Sequence, residues 1–494
     1  MSNKLNSYPK FEHTIKYLGT VMSGVYALVL GAILMLIDYN YDFGAIFNLN
    51  SLEVYTKLIP IVNVLVSIVI GISLTTFSVI FVVMQLASSQ FSPRILRHFL
   101  ANDIRVQHFI ALCVGTVALC ILPQLASVFI TEKAFLLTLI IATFLAIRCL
   151  IWSYPSMITY LSVNMNVSSI THHIKKEVVD EINILYKEKW TIGNDLLYKR
   201  KLQENDGEMI KISSPFESGY LESVRYDKME NLLLPVMEKY KILAVYQKPV
   251  IGEFIMKDTT VLLQISVNNA SEKLQNELTE IVKRTFSVNR FRSHTQDINF
   301  GVRKLVDIAI KAISPAVNDP TTCLNCIDQI GEILKNLSDR QFPSTDARRL
   351  IKKNIHINEF NYDDFVDFCF DQIYQWGKED PTVVKRILRT IRTIIPFVYN
   401  PFHLKVLLQQ VDEMELESLY NQNNIDAKNL KISKEKLASI QHEVKGFKEK
   451  AKVQIVELKK NGVLDYYLQE HHCINEEVRK EHSQTISYLL NDEL

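Results

Sequence analysis

Long apolar stretches alternate with short polar ones in the first third of the chain, and this pattern predicts membrane-spanning helices. A helix needs about 20 mainly apolar residues to cross about 30 Å of hydrocarbon. Four stretches meet this length, at Ile15–Ile37, Leu58–Leu86, Phe109–Ile130 and Ala134–Tyr154. We therefore expect a four-helix transmembrane domain over residues 1–165.

Basic residues in the short loops predict how the chain is oriented, because Lys and Arg collect at the cytoplasmic ends of spans. The first run lacks a small-residue cleavage site and is longer than the core of a signal peptide, so it should remain as an anchor. We expect a multi-pass protein of the inner (cytoplasmic) membrane with both termini in the cytoplasm. The basic residues are Lys4, Lys10, Lys16, Arg94, Arg97, Arg105, Lys175 and Lys176.

A polar stripe runs along the second predicted span. Its residues fall within roughly a third of the helix circumference at about 100° per residue. Polar groups in hydrocarbon need partners, so such a stripe faces other helices or water. It is therefore either a helix-packing surface or a pore lining. The pore-lining candidates are Asn63, Ser67, Gly71, Thr75, Ser78 and Gln85.

The stretch QLASSQFSPRILRHFL, residues 85–100, marks the predicted exit of this span. Pro93 cannot donate a backbone hydrogen bond, so the helix should break near Ser92. Arg94 and Arg97 would then form a basic collar that faces lipid phosphates or a partner. Arg148 lies about one and a half turns before the predicted end of the fourth span, where its side chain could reach the headgroups.

Beyond about residue 170, charged residues recur every few positions, as on a solvated surface. An amphipathic helix is predicted in a linking segment over residues 166–207. Short strands bounded by Pro, Gly and Asp predict a small β-barrel-like domain over 208–268. A helical domain over 269–420 and a charged helical tail over 421–494 complete a cytoplasmic α+β region.

The segment QDINFGVRKLVDIAIKAISPAVNDPTT, residues 296–322, predicts two helices joined by a turn. Asp297 and Asp319 are suited to N-cap the two helices, and Ser314-Pro315 to end the first. Arg303 and Asp307 form an i, i+4 pair on a face typical of solvated surfaces. These residues are either a structural cluster or a ligand-binding one, made of Asp297, Arg303, Asp307, Asn318 and Asp319.

Together, the two quoted segments resemble an uncharacterised bacterial family of predicted membrane proteins, domain of unknown function 2254. The resemblance covers most of residues 10–400. It implies a membrane part followed by a soluble part, and it implies no particular activity.

Charge and motifs remove several classes of function. A net charge of +1 and a pI near 7.6 give no basic field that would favour nucleic acid. We find no phosphate loop, nucleophile elbow or HExxH helix, so we predict no catalytic residues and no cofactor. Cys323 and Cys326 have no second ligand pair nearby, so no metal site is expected.

Two functions fit these features best. The first is a homo-oligomeric channel or transport-like protein, in which the stripe lines the path and the soluble region regulates it. The alternative is a membrane-anchored sensor or protein-binding scaffold without transport activity. A third hypothesis is an enzyme that uses the carboxylate cluster with a divalent ion. The expected partners are the lipid bilayer and further copies of the chain.

Overall fold

The computed structural model describes residues 25–26, 28–41, 50–90, 104–130, 134–164, 166–192, 208–422, 430–468 and 476–490. The chain forms two compact units, Met1–Ser169 and Ile170–Leu494. Each unit is described by itself.

The first unit is helical. Three of its helices are long and apolar enough to cross a membrane, over Ser51–Val82, Arg105–Phe129 and Leu136–Tyr160. The first predicted span, Ile15–Ile37, is not confirmed, because α1 is short and residues 15–24 lie outside the described part of the chain. The helices are α1 Leu28–Asn40, α2 Ser51–Gln90, α3 Ile104–Phe129 and α4 Leu136–Arg148, followed by a π-helical turn Cys149–Ser153 and α5 Tyr154–Asn164.

Aliphatic side chains hold this unit together where α2, α3 and α4 pack pairwise. Val62, Leu119 and Leu139 are fully or almost fully buried in this core. The Tyr55 hydroxyl donates to the Pro123 carbonyl oxygen at 2.8 Å and so joins α2 to α3. Polar groups therefore supplement an apolar contact between helices.

The second unit contains two small sheets and many helices. Its sheets have the strand orders β1-β5-β3-β7 and β4-β2-β6, and all pairs except β3 with β7 are antiparallel. The strands are β1 Glu208–Ser213, β2 Gly219–Val224, β3 Ile242–Gln247, β4 Phe254–Ile255, β5 Val261–Val267, β6 Phe286–Asn289 and β7 Ile355–His356. The helices are α6 Val167–Leu185, of which Ile170 onward belongs to this unit, α7 Tyr226–Tyr240, α8 Glu272–Thr285, α9 Ile298–Ala312, α10 Pro320–Ser338, α11 Thr345–Ile351, α12 Tyr362–Gly377, α13 Pro381–Ile394, α14 Pro401–Gln422, α15 Leu430–Lys460, α16 Val463–Leu468 and α17 Glu476–Leu490.

The expectation of a barrel-like domain is wrong, because neither sheet closes among the described strands. A barrel requires every strand to pair on both sides. Here β1 and β7 are the edges of one sheet, and β4 and β6 are the edges of the other. Helices α7 and α8 supply core side chains such as Leu233 and Leu278, so the apolar strand residues are buried by helices.

The remaining helices pack in a chain of contacts from α9 through α10, α12 and α13 to α14 and α15. In α15, Val444, Phe447 and Ala451 are buried. Glu443 of the same helix accepts from Arg389 of α13 at 2.6 Å. The charged helix α15 therefore packs within the unit through an apolar face and an ion pair.

Candidate functional site

The polar stripe of α2 lies on the side of the helix that the other described helices leave exposed. All six pore-lining candidates are exposed. At about 100° per residue, the buried positions fall on roughly the opposite side of the helix. Packing among the described helices therefore does not account for the stripe. The exposed residues are Asn63, Ser67, Gly71, Thr75, Ser78 and Gln85, and the buried ones are Tyr55, Val62, Val66, Val69, Ser73, Thr76 and Ile80.

Three hydroxyls of the stripe have partners on their own helix. Ser67, Thr75 and Ser78 donate to backbone carbonyl oxygens one turn earlier, each at 2.9 Å. These hydroxyls would tolerate lipid, since their donors are already satisfied. The amides of Asn63 and Gln85 have more donors and acceptors to satisfy. Those two amides therefore carry the stronger demand for water or a polar partner.

Arg148 is exposed and lies at the middle of the apolar helix Leu136–Tyr160. The helix does not end at Tyr154 as expected but continues through α5 to Asn164, and the depth of Arg148 in a membrane stays a prediction. At 1.5 Å per residue, Arg148 is about 18 Å from each end of the apolar range Leu136–Tyr160. A charged group at that depth is expensive in lipid and usually faces water or a polar partner.

The basic collar lies outside the described residues, so the structure gives no geometry for Pro93, Arg94 or Arg97. Helix α2 itself continues to Gln90. The predicted break at Ser92 therefore stays a prediction.

The cluster predicted in residues 297–319 is divided between the two ends of α9. Asp297 N-caps α9 through the Phe300 amide at 3.0 Å, as predicted. Asp319 N-caps α10 through the Thr322 amide at 3.2 Å, also as predicted. The two caps lie on either side of a 15-residue helix that is about 22 Å long. They are too far apart to share one metal ion.

The other members of that cluster make structural contacts as well. Arg303 pairs with Asp307 at 2.8 Å and donates to Gln372 of α12 at 2.7 Å. Asn318 adopts a left-handed backbone conformation with φ 49° in the turn before α10. Among the described residues, no group of three or more His, Cys, Asp or Glu side chains could hold a metal ion.

A polar seam between α6 and α9, buried at Lys304, was missed by sequence reasoning. We call it the Lys304 seam, and it consists of Lys304, His294, Glu177, His173 and Phe300. Lys304 is only 2% exposed, and its ammonium contacts His294 Nε2 and lies 4.8 Å from the centroid of the Phe300 ring. Glu177 of α6 lies 3.7 Å from His294 Nε2 and 3.3 Å from His173 Nε2.

Burial lowers the pKa of Lys304 to about 8, and the nearby Glu177 carboxylate opposes this shift only in part. In the sequence, Lys304 shares the face of α9 that carries Arg303 and Asp307, and such a charged face is typical of a solvated surface. That interpretation is wrong for Lys304, because α6 covers this part of α9. The burial of Lys304 follows from its contacts with α6, so the residue pattern of α9 by itself does not indicate it.

Close backbone approach fixes α6 against α9 beside the Lys304 seam. A Cβ added to Gly301 would lie 2.1 Å from Val178 Cγ2 of α6. Glu181, one turn further along α6, accepts from the Gln296 amide at 2.8 Å. The linking helix is therefore locked to the helical domain by apolar contact, hydrogen bonds and charge together.

A small cavity of about 50 Å³ lies in the same unit. Asp297, Asn299, Ser344 and Glu359 contribute polar groups to its lining. Ligand pockets usually measure about 300–1,000 Å³, so this one could hold water or an ion and no organic ligand. Burial raises the pKa of Glu359, whose carboxylate accepts from the Ser344 amide at 3.0 Å.

Comparisons with known proteins agree with this architecture. An uncharacterised protein of Mycobacterium bovis and one of Mycobacterium tuberculosis are each 24% identical to the chain over 335 residues. The match covers 66% of this chain and 61% of each relative's length. No solved structure matches the chain.

The family model described as "Predicted membrane protein (DUF2254)" matches residues 17–393. This range contains the three long apolar helices, both small sheets and the helices α6 to α12. The chain therefore belongs to the DUF2254 family of predicted membrane proteins.

Proposed function

We propose that the protein is a homo-oligomeric, channel-like transport protein of the bacterial inner membrane, with both termini in the cytoplasm. The observation that carries this proposal is the position of the α2 stripe on the face that the other described helices leave uncovered. Polar side chains on such a face require water or polar partners within a membrane. Further copies of the chain would supply both.

Arg148 supports the same arrangement. Its guanidinium is always charged and has five donors to satisfy. Lipid surrounds an isolated bundle at this depth, whereas an oligomer can offer a polar partner or a water-filled path. The three candidate spans found among the described residues of one chain are too few to enclose such a path.

The second unit would regulate transport through α6. The Lys304 seam and the Gly301–Val178 contact hold this helix firmly to the helical domain. A change in the helical domain would thus act on α6 as a rigid element. We assign no ligand to the second unit, because the cavity beside Asp297 and Glu359 is well below the usual size of a ligand pocket.

The proposal is tested with the purified full-length chain. Light scattering in detergent should give a mass of several copies, and liposomes that contain the protein should leak small ions faster than empty ones. A monomer that leaves liposomes tight would overturn the proposal and favour a membrane-anchored scaffold without transport activity. An oligomer that leaves liposomes tight would support the oligomeric assembly and contradict the transport function.

A further inference from the structure

Two buried cysteines meet inside the first unit. Cys113 of α3 and Cys149, at the start of the π-helical turn, have their sulfurs 3.8 Å apart. Cys113 is 3% exposed, and Cys149 has no exposed surface. Both are free thiols. We call them the dithiol pair.

Two hydroxyl groups adjoin the dithiol pair. The Tyr154 hydroxyl lies 3.8 Å from the Cys113 sulfur and donates to the Val69 carbonyl oxygen at 2.7 Å. Ser73 contacts the same hydroxyl at 2.5 Å. Cys113 therefore stands between a second thiol and a hydroxyl oxygen that accepts a hydrogen bond from its S–H group. We assign the first attack to Cys113 on the basis of this hydrogen bond.

A π-helical turn adds a second distinguishing feature. Such turns are rare and often occur at functional sites. This one begins at Cys149 and ends directly before Tyr154, so it places both side chains toward Cys113. An uninterrupted α-helix would present residues 149 and 154 about 140° apart, because each residue turns by about 100°. The π-helical turn therefore brings Cys149 and Tyr154 onto the side of the helix that faces Cys113.

We propose that the dithiol pair is a redox site at which hydroperoxides convert Cys113 and Cys149 into a disulfide. Thiols and a disulfide are all uncharged, so both end states suit an apolar interior, whereas a metal-bound dithiolate would carry charge there. Hydrogen peroxide and lipid hydroperoxides share the O–O bond that reacts, and both are neutral. Either could supply the oxidant.

The reaction balances in two steps. The Cys113 sulfur attacks the peroxide, so an S–O bond forms, the O–O bond breaks, and the leaving oxygen departs with the thiol proton as water or an alcohol. The Cys149 sulfur then attacks the Cys113 sulfenic acid, so the S–S bond forms, the S–O bond breaks, and water leaves with the Cys149 proton. The thiols lose two electrons, and the hydroperoxide gains them.

Mass spectrometry of the full-length protein in vesicles tests this site. The protein is reduced, exposed either to hydrogen peroxide or to peroxidised phosphatidylcholine, blocked with N-ethylmaleimide and digested without reductant. We expect a peptide that links Cys113 to Cys149, and the arm that yields it identifies the source of the oxidant. Wild-type protein that keeps both thiols free in both arms would overturn the proposal.

Three single variants test the order of attack. Cys113→Ser and Cys149→Ser should both abolish the linked peptide. Cys149→Ser should also trap a sulfenic acid on Cys113, which dimedone labels. Cys120→Ser is the matched control, since Cys120 lies two turns further along α3 and packs among aliphatic side chains. Equal dimedone labelling of Cys113 and Cys149 in wild type would contradict the assigned order.

Discussion

Asp38 and Thr138 are joined across the first unit, although 100 residues separate them in the chain. One oxygen of the Asp38 carboxylate accepts from the Thr138 amide at 2.8 Å and from its hydroxyl at 2.5 Å. The other oxygen accepts from the Leu137 amide at 3.0 Å. Asp38 at the end of α1 thus accepts hydrogen bonds from free amides at the start of α4. Its negative charge also lies at the positive end of the α4 helix dipole, which is a stabilising position.

Replacing this carboxylate should destabilise the first unit. Asp38→Ala leaves buried amides of α4 without acceptors, which costs about 1–3 kcal/mol. The thermal unfolding midpoint in detergent should fall measurably. Glu53→Ala is the control, because the Glu53 carboxylate forms an i, i+4 pair with exposed Lys57 and such pairs contribute about 0.3–0.5 kcal/mol. Equal midpoints for the two variants would refute the capping role.

Adding a methyl group at Gly301 should disturb the contact between α6 and α9. The new Cβ would lie 2.1 Å from Val178 Cγ2, and overpacking of this kind costs about 1–3 kcal/mol. Gly71→Ala should be tolerated, since nothing lies within 4 Å of its added Cβ. Protection of α6 amides from hydrogen exchange reports the difference. If Val178→Ala fails to rescue Gly301→Ala, the clash is not the cause.

The Lys304 seam predicts a pH dependence of stability. Lys304 has a pKa of about 8 in the folded protein against 10.5 for an ordinary lysine. Between these values the unfolded chain holds the proton that the folded protein has released, so stability rises with pH through this window. The rise is at most about 3 kcal/mol. Below pH 8 the buried ammonium is protonated in both states and its burial opposes folding.

Substitution separates this effect from other groups that titrate at high pH. Lys304→Met should flatten the difference in unfolding midpoint between pH 8 and pH 10 relative to wild type. Lys311→Met is the control, because Lys311 is an exposed lysine on the same helix. An unchanged pH profile in Lys304→Met would show that Lys304 titrates normally.

Arg148 provides a test that depends on assembly. Arg148→Leu removes the mid-helix charge, so the single chain should fold as well as or better than wild type in detergent. Ion flux in liposomes should fall sharply if this guanidinium contacts the transported species or holds copies together. Lys57→Leu, an exposed cation near the start of α2, should leave flux unchanged. Full flux from Arg148→Leu would remove Arg148 from the path.

The parts of the fold that depend on interactions between residues close in sequence could be predicted. The caps at Asp297 and Asp319 could be predicted because a capping side chain binds amides only two or three residues away. The long apolar helices followed from length and hydropathy alone. The end of the last span was less predictable, because mildly polar residues such as Ser156 and Thr159 continue the helix past Tyr154.

Contacts between distant segments could not be predicted. Strands β6 and β7 are short and lie outside residues 208–268, so periodicity gave no indication that they would extend the two sheets. Burial of Lys304 depends on Glu177 and Val178, which lie more than 100 residues earlier in the chain. The dithiol pair likewise depends on the packing of α3 against the π-helical turn.

Cysteine labelling in native membranes tests most directly whether the α2 stripe faces water within an assembly. Gly71→Cys and Ile72→Cys place a thiol at the same depth on exposed positions about 100° apart, with Gly71 in the middle of the stripe and Ile72 outside it. A charged, membrane-impermeant methanethiosulfonate should modify Gly71→Cys quickly and Ile72→Cys slowly. Equal protection of both positions would mean that the stripe faces lipid or packed helices, and would contradict the channel.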